Sequence, residues 1–318
     1  MITWTIGSTG LIGSAIAHRS ARIFPGSTFI PEPVPWADPS AAQESLTKEA
    51  RAFAQAAGSQ PWAIFWAAGA ATVSSTRAQC LTEVDSLTAL VRALRADPPS
   101  GPGVFFLASS AGGVYSGSAE PPFDDHTVPS PLNAYGEAKL LQEEATIREL
   151  GDVCNVVIGR FSNIYGPGQN LDKLQGIVSR LALATATRQP LNMFVSLDTL
   201  RDYLFVDDAA AQAVEHARFA LDERSDRRSH RVRVIASGEP VALSHVIRTM
   251  QAVTKKRAPL ALGSHPSSVG QVHDLRLVPS AIEATPEGIP APTHLAAGAR
   301  AVYEDILRRL QWPGLRAM

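Results

Sequence analysis

Ile2-Thr3-Trp4-Thr5-Ile6 runs straight into Gly7-Ser8-Thr9-Gly10-Leu11-Ile12-Gly13. Ile2, Trp4 and Ile6 alternate with polar residues, as a first strand does. A helix follows from about Leu11 to Ile23. Glycines at this spacing let the chain turn tightly and let backbone N–H groups approach a pyrophosphate. The helix N-terminus adds partial positive charge. A glycine pattern alone is a weak signal, and an ordinary glycine loop is the plain alternative. The strand–turn–helix context gives this one its meaning. Gly7, Ser8, Thr9, Gly10, Leu11, Ile12 and Gly13 are therefore candidate dinucleotide-binding residues.

Working outward, short apolar runs alternate with helix-like stretches. Thr28–Ile30 reads as a second strand and Val34–Trp36 as a third. Helices are expected over Ser40–Ala57, Glu83–Arg95 and Ala134–Leu150, and buried strands over Trp62–Trp66, Val104–Ala108 and Val153–Ile158. Apolar strands alternating with helices predict a parallel sheet covered on both faces. Val232–Ile235 reads as one more sheet strand, Arg218–Arg231 as an exposed loop or helix end, and Leu243–Val253 and Ala299–Leu310 as helices. The predicted fold is α/β, a Rossmann-type doubly wound parallel sheet with a smaller C-terminal substrate lobe. Residues 1–165 and 202–237 form the dinucleotide-binding part; 166–201 and 238–318 form the lobe.

Composition narrows the classes. Of 318 residues, 45% are apolar and 19% charged, which describes a globular protein with a sizeable core. A net charge of −1 gives no electrostatic case for nucleic acid or an anionic membrane. Cys80 and Cys154 form neither a Cys-x-x-Cys nor a metal-ligand spacing, so no metal site is expected and both read as free thiols. There is no signal-peptide pattern and no apolar run of about 20 residues. The expectation is a cytoplasmic protein.

Tyr135 and Lys139 stand at i and i+4 on one predicted helix and share a face. A phenol keeps its proton to about pH 10 and is a poor base at neutral pH. A neighbouring ammonium and an oxidised nicotinamide favour the phenolate. Tyr135 would then exchange a proton with a substrate hydroxyl, and Lys139 would also hydrogen-bond the nicotinamide ribose. Glu32 follows the second strand, where a carboxylate suits an adenosine ribose and repels a 2′-phosphate. That favours NAD, with NADP left open; an exposed loop residue is the plain alternative. Asp38 either approaches the adenine or caps the next helix.

The company of this pair carries a family resemblance. In order come the Gly7–Gly13 turn, Trp66-Ala67-Ala68-Gly69, Ser109-Ser110-Ala111-Gly112-Gly113-Val114-Tyr115, Tyr135-Gly136-Glu137-Ala138-Lys139, Arg160-Phe161-Ser162-Asn163-Ile164-Tyr165-Gly166-Pro167-Gly168 and Arg201-Asp202-Tyr203-Leu204-Phe205-Val206-Asp207-Asp208. As a set they resemble the extended short-chain dehydrogenase/reductases, the NAD-dependent epimerase/dehydratase family acting on nucleotide sugars. The resemblance spans Met1 to about Ala213 and is loose beyond. It implies that Ala67, Ala68, Gly69 and Phe161 lie at the cofactor. It implies that Asn163 contacts the substrate's diphosphate or sugar, and that Arg201 pairs with a nucleotide phosphate. The plain alternatives are a turn residue for Asn163 and an ion pair with Asp202 for Arg201. The resemblance also allows for a homodimer.

One departure stands out. The family places Ser or Thr where this chain has Ala111. Ser110 is the expected replacement, with Ser109 as substitute; strand termination is the plain role for both. Members that dehydrate carry Asp-Glu next, whereas this chain has Gly112 and Gly113 with nothing to titrate. A 4-epimerase with retained NAD is the first expectation and a nucleotide-sugar ketoreductase the second. A non-catalytic dinucleotide-binding protein is the third.

Overall fold

The structure is a computed structural model describing residues 1–24, 26–171, 176–222, 229–263, 272–282 and 291–311. The first half runs β1 (Ile2–Ile6), α1 (Leu11–Ile23), β2 (Ser27–Thr28), α2 (Pro39–Ala57), β3 (Trp62–Trp66), α3 (Arg77–Ala96), β4 (Gly103–Ser110), α4 (Ala111–Val114) and α5 (Ala134–Leu150). Next come β5 (Asn155–Phe161), β6 (Asn163–Tyr165), α6 (Ile177–Thr187), β7 (Leu191–Met193), β8 (Leu200–Arg201), β9 (Tyr203–Phe205) and α7 (Val206–Asp222). The chain then forms β10 (His230–Ile235), β11 (Val241–Ala242), α8 (Leu243–Thr254), β12 (Leu260–Leu262), β13 (Asp274–Leu275) and α9 (Leu295–Gln311).

Six parallel strands form the main sheet in the order β2-β1-β3-β4-β5-β10. Both faces are covered, which explains the uninterrupted apolar strands. On β3, Trp62, Ile64 and Trp66 pack toward Leu46 and Phe53 of α2 and Leu87, Leu90 and Leu94 of α3. Ala63 and Phe65 face Ile16 of α1 and the alanine-rich side of α7. The alanines 209, 210, 213, 217 and 220 let α7 lie close against the strands. The doubly wound parallel fold read from the sequence is the fold observed.

The order also places a crevice. The chain leaves β1 for β2 on one side, then crosses to β3 on the other. Such a switch point opens a cleft at the carboxyl ends of β1 and β3, where ligands of this architecture bind. A separate core of Tyr165, Leu181, Leu191, Met193, Val246, Met250, Val302 and Ile306 joins α6, α8 and α9.

Three expectations fail locally. No strand forms at Val34–Trp36, because Pro31, Pro33 and Pro35 remove the N–H donors that a ladder needs. The second strand is Ser27–Thr28 rather than Thr28–Ile30; Phe29 adds one further bond, its N–H donating to Thr3 O at 2.8 Å. The polar stretch Arg218–Arg231 is divided. α7 runs to Asp222 and β10 starts at His230, while 223–228 lie outside the described residues.

Candidate active site

The cleft floor is the Gly7–Gly13 turn. Gly7 has φ +86°, and a Cβ there would sit 2.6 Å from Ala68 N. A Cβ on Gly13 would sit 2.1 Å from Gly7 O. Only hydrogens fit at these two positions, so turn, helix and the Ala67–Ala68 backbone close on one another. Gly10 is the N-cap of α1 and offers no side-chain cap. The N–H groups of Leu11, Ile12 and Gly13 have no carbonyl one turn back to bind. Ser8, Thr9 and Gly10 are exposed above them. This cradle fits a pyrophosphate.

Beside it, Gly69 begins a loop tied down by Glu83 of α3. One Glu83 oxygen accepts from Ala70 N at 2.5 Å and Ala71 N at 2.6 Å. Glu83 sits in no motif that marks this role in the sequence. Glu32 lies on the exposed loop after β2, its carboxylate 2.6 Å from Lys48 Nζ of α2. Asp38 takes its plain role, accepting from Ser40 N at 3.0 Å and Ala41 N at 3.2 Å as the N-cap of α2. Phe161 turns away from the cleft. Its ring is buried against Phe106 with centroids 6.1 Å apart, so only its backbone is left to face a cofactor.

α5 starts at Ala134 because Asn133 caps it, the Asn133 amide oxygen accepting from Gly136 N at 3.0 Å. The start is pressed against α4. A Cβ on Gly136 would meet Gly113 O at 2.2 Å, and one on Gly113 would meet the Tyr135 ring at 3.0 Å. The paired glycines therefore seat the half-buried Tyr135 ring. One turn on, the buried Lys139 holds its Nζ 5.7 Å from the Tyr135 ring centroid. That ammonium donates to Gln142 Oε1 at 3.0 Å and Ala108 O at 3.5 Å.

Ser109 and Ser110 point to different partners, as neighbours on a strand do. The buried Ser109 hydroxyl donates to Glu143 Oε1 at 2.5 Å. Ser110 caps α4, its Oγ accepting from Gly113 N at 3.2 Å, and among the described residues its own proton meets no acceptor. Ala111 is fully buried among Tyr115, Phe123 and Leu275. Glu143 also accepts from Arg160 Nε at 3.1 Å and Nη2 at 2.6 Å. Arg160 Nη1 donates to Tyr115 Oη at 2.8 Å, and that hydroxyl donates to Asp124 O at 2.6 Å. Burial works against the Arg160 charge, but Glu143 outweighs it and holds the guanidinium above its ordinary value. Burial pushes the Tyr115 phenol up, against the pull of Arg160.

The far wall is β6 beside β9. Asn163 is exposed, and its N–H and Nδ2 both donate to Asp202 O, at 3.1 and 2.9 Å. The Asp202 carboxylate is fully buried and takes Ser237 N, Ser237 Oγ and Gly238 N at 2.8–2.9 Å. The plain alternative for Arg201, an ion pair with Asp202, is thereby excluded. Arg201 instead donates to the carbonyls of Leu200, Val272 and His273 at 2.5–3.3 Å. No described carboxylate forms a salt bridge with it. Burial depresses its guanidinium below the usual value, and burial pushes the adjacent Tyr203 phenol up to about 12 against the pull of Arg201.

A sequence model of the NAD dependent epimerase/dehydratase family matches residues 5–229. The chain belongs to this family. The extended short-chain dehydrogenase/reductase resemblance is thus correct, and the family is one of nucleotide-sugar epimerases, dehydratases and reductases. The curated relative dTDP-4-dehydro-6-deoxyglucose reductase of Escherichia coli is 26% identical over 174 residues, 54% of this chain and 52% of that protein. The matched region thus spans about half the length of that relative. Two solved structures are similar in fold. MoeE5 in complex with UDP-glucose and NAD gives a TM-score of 0.73 at 22% identity, covering 97% of this chain and 99% of that one. UDP-glucose 4-epimerase of Thermotoga maritima gives 0.73 at 18% identity, covering 98% and 100%. Among the described residues, no helix is long and apolar enough to cross a membrane.

Proposed function

We propose that this chain binds NAD across the Gly7–Gly13 cradle and acts on a nucleotide sugar, interconverting its C4 epimers. The observation that carries the reading is the seating of Tyr135 and Lys139 on the first turns of α5, beside the Ser110–Gly113 segment. Leu11, Ile12 and Gly13 would hold the pyrophosphate, and Lys139 the nicotinamide ribose. Bound NAD supplies the hydride acceptor and donor. The chain supplies the rest. Tyr135 Oη takes the proton of the sugar hydroxyl as the carbonyl forms, and returns it as the hydroxyl re-forms. Lys139 stabilises the phenolate before that proton is taken and after it is returned. Ser110, whose hydroxyl proton meets no acceptor among the described residues, bridges sugar and phenol. Asn163 and Arg201 face the diphosphate; among the described residues Arg201 hydrogen-bonds backbone carbonyls alone, which leaves its net charge to act on a phosphate.

Gly112 and Gly113 carry no acid or base where water loss would need one, which supports epimerisation over dehydration. A second reading, an NAD(P)H-dependent ketoreductase, is favoured by the partial likeness to the Escherichia coli reductase. The test is incubation of the purified protein with NAD⁺ and a panel of UDP- and dTDP-hexoses, with chromatography of the C4 epimers. Epimers forming with no added reductant support the first reading. Turnover of 4-keto sugars that requires NADH or NADPH supports the second.

A further inference from the structure

We propose that Gln142 is a positioning residue: its neutral amide holds the Lys139 ammonium and leaves that ammonium's full positive charge to act on Tyr135. This rests on the reading of Tyr135 and Lys139 as the acid–base pair.

The buried stripe of α5 is polar where a core helix is ordinarily apolar. It carries Lys139, Gln142, Glu143 and Thr146, all buried. Gln142 is 1% exposed, and its Oε1 lies 3.0 Å from Lys139 Nζ. An ammonium so enclosed needs an acceptor, and a carboxylate would be the stronger one. It would also cancel the charge that favours the phenolate of Tyr135, whose ring centroid lies 5.7 Å from Lys139 Nζ. An amide oxygen anchors the ammonium and cancels nothing.

The other charged groups here are already matched. From α5 and β5, Glu143 is paired with Arg160, which also binds Tyr115 after α4. From α3, Glu83 binds two backbone amides, and the Cys80 thiol is pushed up by burial and by Glu83, with Lys139 pulling the other way. At the outer rim Arg77 of α3 pairs with Glu137. Gln142 is therefore the place where a charge change is felt by Lys139 first.

The test uses phenolate absorbance near 295 nm in NAD⁺-saturated protein, without substrate. Subtracting Tyr135→Phe from each profile isolates Tyr135 among the five tyrosines. Gln142→Glu is expected to move the Tyr135 midpoint upward by about one pH unit. Gln142→Leu, similar in bulk but apolar and uncharged, is expected to move it less than a third as far. A Gln142→Glu midpoint within about 0.3 of wild type overturns the proposal. So does a Gln142→Leu shift of equal size, which would make the effect one of packing. Should the buried carboxylate prevent folding, Gln142→Leu still decides. Loss of the acceptor is expected to raise acetic anhydride labelling of Lys139 at least threefold relative to Lys48, read by peptide mass spectrometry. Unchanged labelling overturns the positioning role. Because no substrate is added, these outcomes stand apart from whether the chain epimerises a sugar.

Discussion

The Ser109 hydroxyl lies 2.5 Å from Glu143 Oε1, a carboxylate already gripped by two nitrogens of Arg160. The hydroxyl that could have substituted for Ser110 is thus spent on the core. Ser109→Ala is expected to cost about 1 kcal/mol of stability and less than about threefold in rate. Ser110→Ala is expected to lower kcat by about 10²-fold, with about 1 kcal/mol lost from the α4 cap. Urea unfolding and initial-rate kinetics on both variants check this; the reverse ranking would return Ser109 to the site.

The Glu143–Arg160 pair is buried on both sides, with side chains 6% exposed. Removing one partner strands a charge in the interior. Glu143→Met is expected to lose about 3–5 kcal/mol. Joining it to Arg160→Met is expected to recover part of that loss, since no uncompensated charge remains. Chemical denaturation of the two single variants and the double variant measures the coupling.

Backbone crowding at the turn gives a sharper expectation. A methyl at Gly13 would lie 2.1 Å from Gly7 O, and neither partner is a side chain able to move aside. Gly13→Ala should weaken NADH binding by more than about tenfold, as nicotinamide fluorescence would show, since the cradle depends on this approach.

His216 on α7 is buried, and its Nε2 has no hydrogen-bond partner among the described residues. Burial, then Arg233, lowers it from 6.5 to about 4, against the pull of Asp125. The folded protein keeps it neutral at pH values where the unfolded chain protonates it. Its contribution is therefore fully present above about pH 6.5 and is lost as pH falls to about 4, on the order of 3 kcal/mol. His216→Leu should lose that much less stability than wild type between pH 7 and 4 in urea titrations at each pH.

Much of this was legible in the sequence, for physical reasons. Covered parallel strands must be apolar throughout, so β3 and β4 announced themselves. α5 was bounded correctly at Ala134 and Leu150, between a capping Asn133 and Gly151. The proline-spaced segment misled, because Val34 and Trp36 look like strand residues while the prolines forbid a ladder. Gln142 and Glu143 stand at i+3 and i+4 from Lys139, but nothing in the sequence marks them as buried. Charged and amide residues on a helix look like a solvated face until burial shows otherwise. Strand alternation sends the Phe161 ring into the core, which the motif around it does not reveal.

The central claim is that Tyr135 is the acid–base group of a sugar-nucleotide reaction run on NAD. Chromatographic assay of C4 epimer formation from UDP- and dTDP-hexoses, comparing wild type with Tyr135→Phe, tests it most directly. Interconversion without net NADH formation, lowered at least 10²-fold by the substitution, is the predicted result. Epimer formation unchanged in Tyr135→Phe, or none by the NAD⁺-loaded wild type on any member of the panel, would contradict it.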